Sequence, residues 1–350
     1  MKTIKIDNKL NNTHKYYLYK YHMGIRGLNS LLDKFDCIRN FKKIPRNINV
    51  IAIDANLYLC KYLYSQNVEV LYSILNQVLK FLSSNITPIY IFDGEAPIEK
   101  LNTIKKRKIK KKNILSKIQI LKKQLLITQD NKEVILKKIK HLEKLCTSIS
   151  SDLINNVKIL LNILHIQYFD SIGEADYTCC KLSNLNLVNA CLTEDMDFLL
   201  LGSDIIINFK KKGIVNYLDR KIILNNLNLT NEQFKELCII LGSDYHNFKI
   251  KLKPIDAYNS IKKYSNINNW LLDCDNELIK NYLTNCLNIK KFINDTYNNT
   301  IIPKVVNNIE IIDLDNLILF FDNKINENSF PYHRTNTVKN IIHEINMKYI

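Results

Sequence analysis

Three short apolar runs, each closing on an acid and the first two followed by helical patterns, constrain this chain more than anything else in it. "NVIAIDAN" (49–56) ends at Asp54 and "PIYIFDGE" (88–95) ends at Asp93. "NACLTEDMDFLLLGSD" (189–204) ends its apolar run in front of Glu194, Asp195 and Asp197. Continuous apolar runs this short, bounded by turn residues, read as strands buried on both faces. Strands alternating with helices give the α/β class, a mostly parallel central sheet flanked by helices. Ligands of such sheets collect beyond the carboxyl ends of the strands. The acids fall there.

The rest of the pattern fills in around these strands. Leu28, Leu31, Leu32 and Phe35 recur at helical spacing after "MGIRGL". Residues 57–82 read as helical, and 97–165 as two or three long helices with breaks near 128–131 and 147–151. "IQYFD" (166–170) reads as a strand, "GEADYTCCKLSNL" (173–185) as a helix start and 204–219 as a hairpin turned at Gly213. Two further helices are expected over 231–241 and 254–264, and a mostly helical remainder to 350. Residues 1–22 look like an extension without a core of their own. Only seven glycines occur, and Gly27, Gly94, Gly173, Gly202 and Gly242 lie in or near these junctions. A glycine retained in a chain poor in them suggests a turn that a side chain would obstruct.

Composition narrows the function classes. With 350 residues, 46% of them hydrophobic, the chain can bury a sizeable core. No apolar run reaches the ~18 residues that span a bilayer, and no secretory leader is visible in the first 22 residues. Nine scattered cysteines without a CxxC pair read as reduced thiols of an intracellular protein, not as a zinc site or a disulfide framework. The net charge is +16. Between Lys100 and Lys144, 16 Lys/Arg stand against Asp130, Glu133 and Glu143, so most of the excess sits in one segment. Such a block suits a polyanionic partner. A solvated helix in a chain rich in Lys and Asn accounts for the charge equally well.

The junction acids are Asp54, Asp93, Glu174, Asp176, Asp195, Asp197 and Asp244. No His or Cys stands among them, and all-oxygen donors select Mg²⁺ or Mn²⁺ over zinc. Seven carboxylates exceed what one octahedral ion needs, and suit two ions about 4 Å apart, as in phosphodiester hydrolysis. Glu174/Asp176 and Asp195/Asp197 are spaced i,i+2, which puts both side chains on one face if the backbone is extended. Taken singly, Asp176 or Asp244 reads as readily as a helix cap or turn acid.

"MGIRGL", "IAIDAN", "YIFDGEAP", "GEADYTCC", "TEDMDFL" and "LGSDY" occur in this order between Met23 and Tyr245. With these six motifs the chain resembles the flap endonuclease/XPG family of structure-specific 5′ nucleases. The resemblance implies the PIN-like 5′-nuclease fold, with a nuclease domain over 23–270 and a helical part over 271–350 packed on it. The nuclease domain would carry a helical arch at about 97–150 and a helix–two-turn–helix element at about 231–264. It implies two Mg²⁺ ions, for which Mn²⁺ can substitute. Asp93, Glu174 and Asp176 would hold one, with Asp54 helping through water. Asp195, Asp197 and Asp244 would hold the other. Lys100 and Arg107 match a family Lys/Arg pair seven residues apart that draws the scissile phosphate inward. DNA contacts are expected from Gly24, Arg26, Gly27, Lys105, Lys106, Gly242, Lys249, Lys251 and Lys253. Ile25 and Leu28 are candidates for an apolar wedge against the duplex end.

Some positions depart from the family. Twenty-two residues precede the Met-Gly that is its usual start, so either Met23 is the start or the extension must be diverted from the site. Lys251 and Lys253 replace glycines that in the family bind duplex phosphates and help hold potassium, which leaves a potassium site open. Cys60 stands where a base-stacking aromatic is usual, with Tyr58 and Tyr62 as substitutes. "NLILFF" (316–321) reads as core, so sliding-clamp binding is not expected. The expected protein is a monomeric, intracellular Mg²⁺-dependent nuclease at sites of DNA replication and repair, acting on DNA with a 5′ flap or free 5′ end, with no membrane partner. A 5′→3′ exonuclease, an RNA-directed nuclease on the same fold and a non-catalytic DNA-binding scaffold are the alternatives.

Overall fold

The fold was analysed in a computed structural model, which describes residues 24–41, 47–65, 70–127, 131–209, 215–246, 250, 252–306, 310–324 and 332–349. The expected extension over 1–22, the hairpin turn at Gly213, Lys249 and Lys251 lie outside them. The chain divides into two compact units that interleave in sequence. One, here the hairpin unit, comprises the described residues of Met1–Lys43 and Glu194–Asn298. The other, the arch unit, comprises those of Ile44–Thr193 and Asn299–Ile350.

Along the chain, the hairpin unit begins with α1 (Leu28–Lys34) and β1 (Arg39–Phe41). The arch unit follows with β2 (Val50–Asp54), α2 (Ala55–Ser65), α3 (Val70–Ser83) and β3 (Thr87–Phe92). A 3₁₀ turn (Ile98–Lys100) leads into α4 (Leu101–Ile127), α5 (Lys132–Lys144), α6 (Ser151–Ile163), β4 (Tyr168–Asp170), α7 (Ala175–Asn184) and β5 (Ala190–Leu192). The chain then returns to the hairpin unit. This stretch supplies α8 (Asp197–Leu200), β6 (Ile205–Phe209), β7 (Val215–Leu218), α9 (Arg220–Leu227), α10 (Asn231–Leu241), α11 (Pro254–Tyr264), α12 (Ile267–Leu272) and α13 (Glu277–Asn299). Two last helices of the arch unit, α14 (Leu314–Lys324) and α15 (Tyr332–Tyr349), close the chain.

In the arch unit four parallel strands run in the order β5-β2-β3-β4. All five residues of β2 are buried, as are the last five of β3. This is why these strands read as unbroken apolar runs rather than as alternating ones. The register Asp54↔Ile91 and Phe92↔Asp170 brings the carboxyl ends of β2, β3 and β4 to one edge of the sheet. Lys158 covers β4. Its ammonium lies 5.1 Å from the Phe92 ring centre and 5.8 Å from that of Tyr168, and pairs with Asp170 at 2.6 Å. A lysine stem laid along an outer strand shields its apolar side and discourages further pairing. Phe320 and Phe321 of α14 are buried, so the aromatic pair of "NLILFF" is core.

The strands of the hairpin unit are antiparallel, β1 pairing with β7 and β7 with β6. The expected β6–β7 hairpin is present. The sequence reading left out β1, α8 and α9, which are short. Helix α10 starts with a full capping box, Thr230 accepting from the Gln233 amide while the Gln233 side chain accepts from the Thr230 amide. Pro254 opens α11 in the first turn, where its missing N–H is not needed. These two helices match the expected bounds 231–241 and 254–264.

Candidate metal and nucleic-acid site

In the arch unit, four of the predicted acids gather at the strand ends. Asp54 is 6% exposed and its Oδ1 accepts the Leu57 amide at 3.0 Å, so it also starts α2. Asp93 follows β3 directly. Its Oδ1 accepts the Ala175 amide at 2.9 Å and its Oδ2 accepts the Asn56 side-chain amide at 2.7 Å. Both carboxylate oxygens are thus oriented, one of them by the first turn of α7, where the helix dipole favours an anion. Glu174 and Asp176 sit at the N-cap and in the first turn of that same helix. Gly94 makes this approach possible. A Cβ there would lie 2.1 Å from the Ser171 carbonyl oxygen and 2.4 Å from that of Ile172. The Gly94 and Glu95 amides instead donate to Gly173 and Ile172, zipping the turn after β3 onto the loop before α7.

The charge at this corner is unbalanced. Protein packed around the Asp93 carboxyl pushes its pKa up, although the residue is open to solvent on one side, and the charge of Glu174 adds to the rise. The Ala175 amide, Asn56 and the Lys100 ammonium pull the other way. Lys100 ends the 3₁₀ turn and its ammonium contacts Glu174 Oε1, with both side chains largely buried. Arg107 lies one or two turns into α4 and is exposed, as are Lys105 and Lys106. The expected Lys/Arg pair is therefore split in environment, Lys100 buried against an acid and Arg107 on the open side of the arch helix. Helix α4 holds ten Lys/Arg and no acid, and Ile118 is the buried residue among its 27. It packs on α5, helped by a Lys122–Glu143 pair at 2.7 Å that is half exposed and worth at most about 1 kcal/mol.

The other three acids belong to the hairpin unit. The Asp195/Asp197 stretch is not extended, as the spacing argument supposed. Met196 is helical in backbone, and Asp195 Oδ1 accepts the Asp197 amide at 3.0 Å. Asp195 therefore makes an Asx turn just ahead of α8, whose N-cap is Met196, and Asp197 begins the helix, 8% exposed. Asp244 follows Gly242 and Ser243 at the end of α10. Gly24 explains the "MGIRGL" turn. At φ +85° its missing Cβ would lie 2.4 Å from Asp195 Oδ1 and 2.7 Å from the Met196 amide nitrogen. Gly27, at φ +73°, would put a Cβ 2.5 Å from Pro254 Cγ. The Arg26 amide donates to the Gly242 carbonyl at 3.4 Å. Arg26, Gly27, Ser30, Leu252, Lys253 and Pro254 line an open cavity of about 360 Å³, so three of the predicted DNA contacts share one basic recess.

Other expectations change. Ile25 and Leu28 are 5% and 0% exposed, so neither presents the apolar wedge that the resemblance implies; Leu28 lies on the buried face of α1 and Ile25 is buried just before it. Tyr58 is buried, which leaves half-buried Tyr62 as the more accessible ring near Cys60. The sequence reading also missed Asn56, whose Oδ1 is buried without a hydrogen-bond partner beside Asp93. Its place two residues after Asp54 in "IAIDAN" was the available signal.

The donor set fits a hard dication: all oxygens, an acid raised in pKa by burial and by a neighbouring acid, and a spare buried carbonyl oxygen beside it. The described side chains do not close a cage, since no three His, Cys, Asp or Glu among the described residues are grouped to hold an ion.

Known proteins resemble this chain in sequence and fold. The XPG N-terminal domain matches residues 23–114 and the XPG I-region residues 165–244. Flap endonuclease 1 of Entamoeba histolytica is 30% identical over 270 residues, 71% of this chain and 69% of that protein. This chain belongs to the flap endonuclease/XPG family. Flap endonuclease 1 of Meyerozyma guilliermondii is 26% identical over 268 residues, with the same shares covered. The fold resembles the catalytic core of Rad2 in complex with DNA substrate, at TM-score 0.66 and 21% identity over 91% of this chain and 100% of that one. It also resembles flap endonuclease-1 of Methanococcus jannaschii, at TM-score 0.60 and 17% identity over 90% and 98%. As a family member the chain is a structure-specific 5′ nuclease of branched DNA, a metal-dependent hydrolase of phosphodiester bonds. No described helix is long and apolar enough to cross a membrane.

Proposed function

We propose that this family member cleaves DNA at 5′ flaps with two Mg²⁺ ions. Asp93, Glu174 and Asp176, with Asp54 through water, hold one; Asp195, Asp197 and Asp244 hold the other. When bound, such ions supply Lewis-acid activation of the scissile phosphate and stabilise the charge that builds up during in-line displacement. The reading requires both sets of acids to serve one phosphodiester.

The chain's own groups prepare for this. The Asn56 amide and the Ala175 amide aim the two oxygens of Asp93. Lys100, released from Glu174 when a cation takes its place, turns to the phosphate and neutralises charge in the transition state. Arg107, Lys105 and Lys106 draw the single-stranded 5′ end along α4. Arg26 and Lys253, with the Gly24–Gly27 turn and Gly242, hold duplex phosphates at the basic recess, and Lys249 and Lys251 extend that contact. These phosphate contacts are charge-driven, so binding weakens steeply with salt.

The observation that carries the reading is the buried Lys100–Glu174 contact beside Asp93, a removable cation at the carboxyl edge of a parallel sheet. The test is cleavage of a labelled 5′-flap DNA with Mg²⁺ and with EDTA, beside nicked duplex and RNA oligomers. Mg²⁺-dependent cutting at the flap junction is expected. Cutting that survives EDTA, or that prefers RNA or a nick, would displace it.

A further inference from the structure

Arg220 is a buried cation that the reading above does not use. It is 9% exposed. Its Nη1 donates to the Leu199 carbonyl, and its Nε donates to Asn231 Oδ1 at 2.8 Å. The guanidinium carbon lies 5.3 Å from the centre of the Phe234 ring. Its backbone amide donates to Asp204 Oδ1 at 2.7 Å, and Asp204 Oδ2 accepts the Tyr217 hydroxyl at 2.8 Å. Leu199 belongs to α8, the helix that Asp197 begins. Asn231 and Phe234 belong to α10, which runs directly into Gly242, Ser243 and Asp244.

We infer that Arg220 is a positioning residue that holds Asp197 and Asp244 in register, tying the short helix of one to the long helix that delivers the other. The inference rests on the reading of these two acids as ligands of one ion. A four-residue helix has almost no stability of its own, so α8 needs an outside anchor. The guanidinium suits that task, because its donors form a rigid planar fork that can serve two acceptors while the plane rests on an aromatic face. Burying a full charge is tolerable only when it is paired. Asp204, four residues after α8, provides the nearby negative charge. The charges of Arg220 and Asp197 both reach the buried Cys238 thiol on α10, which places cation and acid at the same stretch of that helix.

The test counts and titrates Mn²⁺ on the purified chain by electron paramagnetic resonance, without DNA, alongside thermal unfolding. Wild-type protein is expected to bind two ions. Arg220→Met should weaken one of them roughly 10- to 100-fold, the range for partners that orient metal ligands, and leave the other unchanged. Arg220→Lys should fall between, because it keeps the charge and loses the fork. Asn231→Ala, which removes one acceptor, should shift the same ion by less. Lys290→Met, which breaks the half-buried pair with Glu236 of α10 but leaves Arg220 and its partners Leu199 and Asn231 untouched, should lower the melting temperature and leave both ions in place. Wild-type affinity in a folded Arg220→Met, or an equal loss of Mn²⁺ in Lys290→Met, overturns the inference while the ligand reading stands. If Arg220→Met does not fold, unchanged affinity in both Arg220→Lys and Asn231→Ala overturns it. A wild-type chain that takes up no Mn²⁺ removes the ligand reading, and this inference with it.

Discussion

The two acid corners are built by different means. At the arch unit's corner, Asp93, Glu174 and Lys100 form a charge cluster in which a lysine side chain balances acids crowded by burial. At the hairpin unit's corner, Asp195 is fixed by backbone: it accepts the Asp197 amide, and Gly24 leaves room for it. A corner whose acids are only partly offset by one lysine can exchange that cation, because a lysine stem swings. A corner set by backbone cannot rearrange without moving a helix. One corner is therefore adjustable and the other fixed.

The sharpest way to break this comparison is to neutralise one acid from each corner without changing its shape. Asp93→Asn and Asp195→Asn should each lower flap cleavage by a factor of about 10³ or more, because each removes a proposed ligand. Their stabilities should part in EDTA. Asp93 has a raised pKa in the folded state, so its ionised form disfavours folding above that pKa, and the neutral amide relieves this. Asp93→Asn should melt higher than the wild type at pH 7, and the gain should fade as pH drops toward the ordinary carboxylate range. Asp195→Asn should melt as the wild type does, since its side-chain oxygen still accepts the Asp197 amide. Equal shifts in both would erase the distinction.

Lys100→Met tests the adjustable corner from its other side. Loss of one positioned cation at a phosphoryl centre costs on the order of 10²–10³ in kcat. The comparison predicts that kcat falls while flap affinity changes little, because a single buried lysine adds little to binding beside the ten cations of α4. A variant that loses affinity and keeps kcat would make Lys100 an arch residue.

The glycines sharpen the comparison further. Gly94→Ala should destabilise by about 2–4 kcal/mol, within the range for forced backbone movement, because its Cβ would meet two carbonyl oxygens that cannot swing away. Gly24→Ala carries a left-handed penalty of about 1–2 kcal/mol and pushes directly on Asp195. Chemical denaturation should rank Gly94→Ala as the less stable protein, and cleavage per folded molecule should rank Gly24→Ala as the less active.

Much of this was legible in the sequence for identifiable reasons. The parallel strands announce themselves as unbroken apolar runs, because both faces are covered, and their closing acids mark the edge where ligands collect. The expected bounds 231–241 and 254–264 agree with the structure, and the local capping chemistry that sets them, Thr230 with Gln233 and Pro254 at a helix start, is present in the sequence itself. What escaped depends on distance. Arg220 reads as a surface charge, because its partners Leu199 and Asn231 are 21 and 11 residues away. The i,i+2 spacing of Asp195 and Asp197 implied a shared face only for an extended chain, and the Asx turn at Asp195 that leads into the helix is invisible until the loop is folded. Ile25 and Leu28 are wedge candidates by resemblance alone, and the packing that buries both is set by contacts the motif does not show.

The smallest expected effects lie on α4, and they test whether its charge serves substrate or is a solvated face. Lys105→Gln and Lys106→Gln lie on the exposed surface of a helix with almost no core of its own, so neither should move the melting temperature by more than about 1 °C, as for ordinary surface changes. If each lysine meets a phosphate, each substitution should reduce the slope of log affinity against log salt by about 0.7, the single-strand value. The loss should be a few-fold at moderate salt and vanish as salt rises. It should also depend on the substrate, being present for a DNA with a single-stranded 5′ flap and absent for a blunt duplex of equal length. The double variant should show the two slopes added, since independent phosphate contacts are additive. A uniform loss on flap and duplex alike would assign these lysines to general attraction. An unchanged slope would leave α4 a solvated helix, with the adjustable corner relying on Lys100 alone.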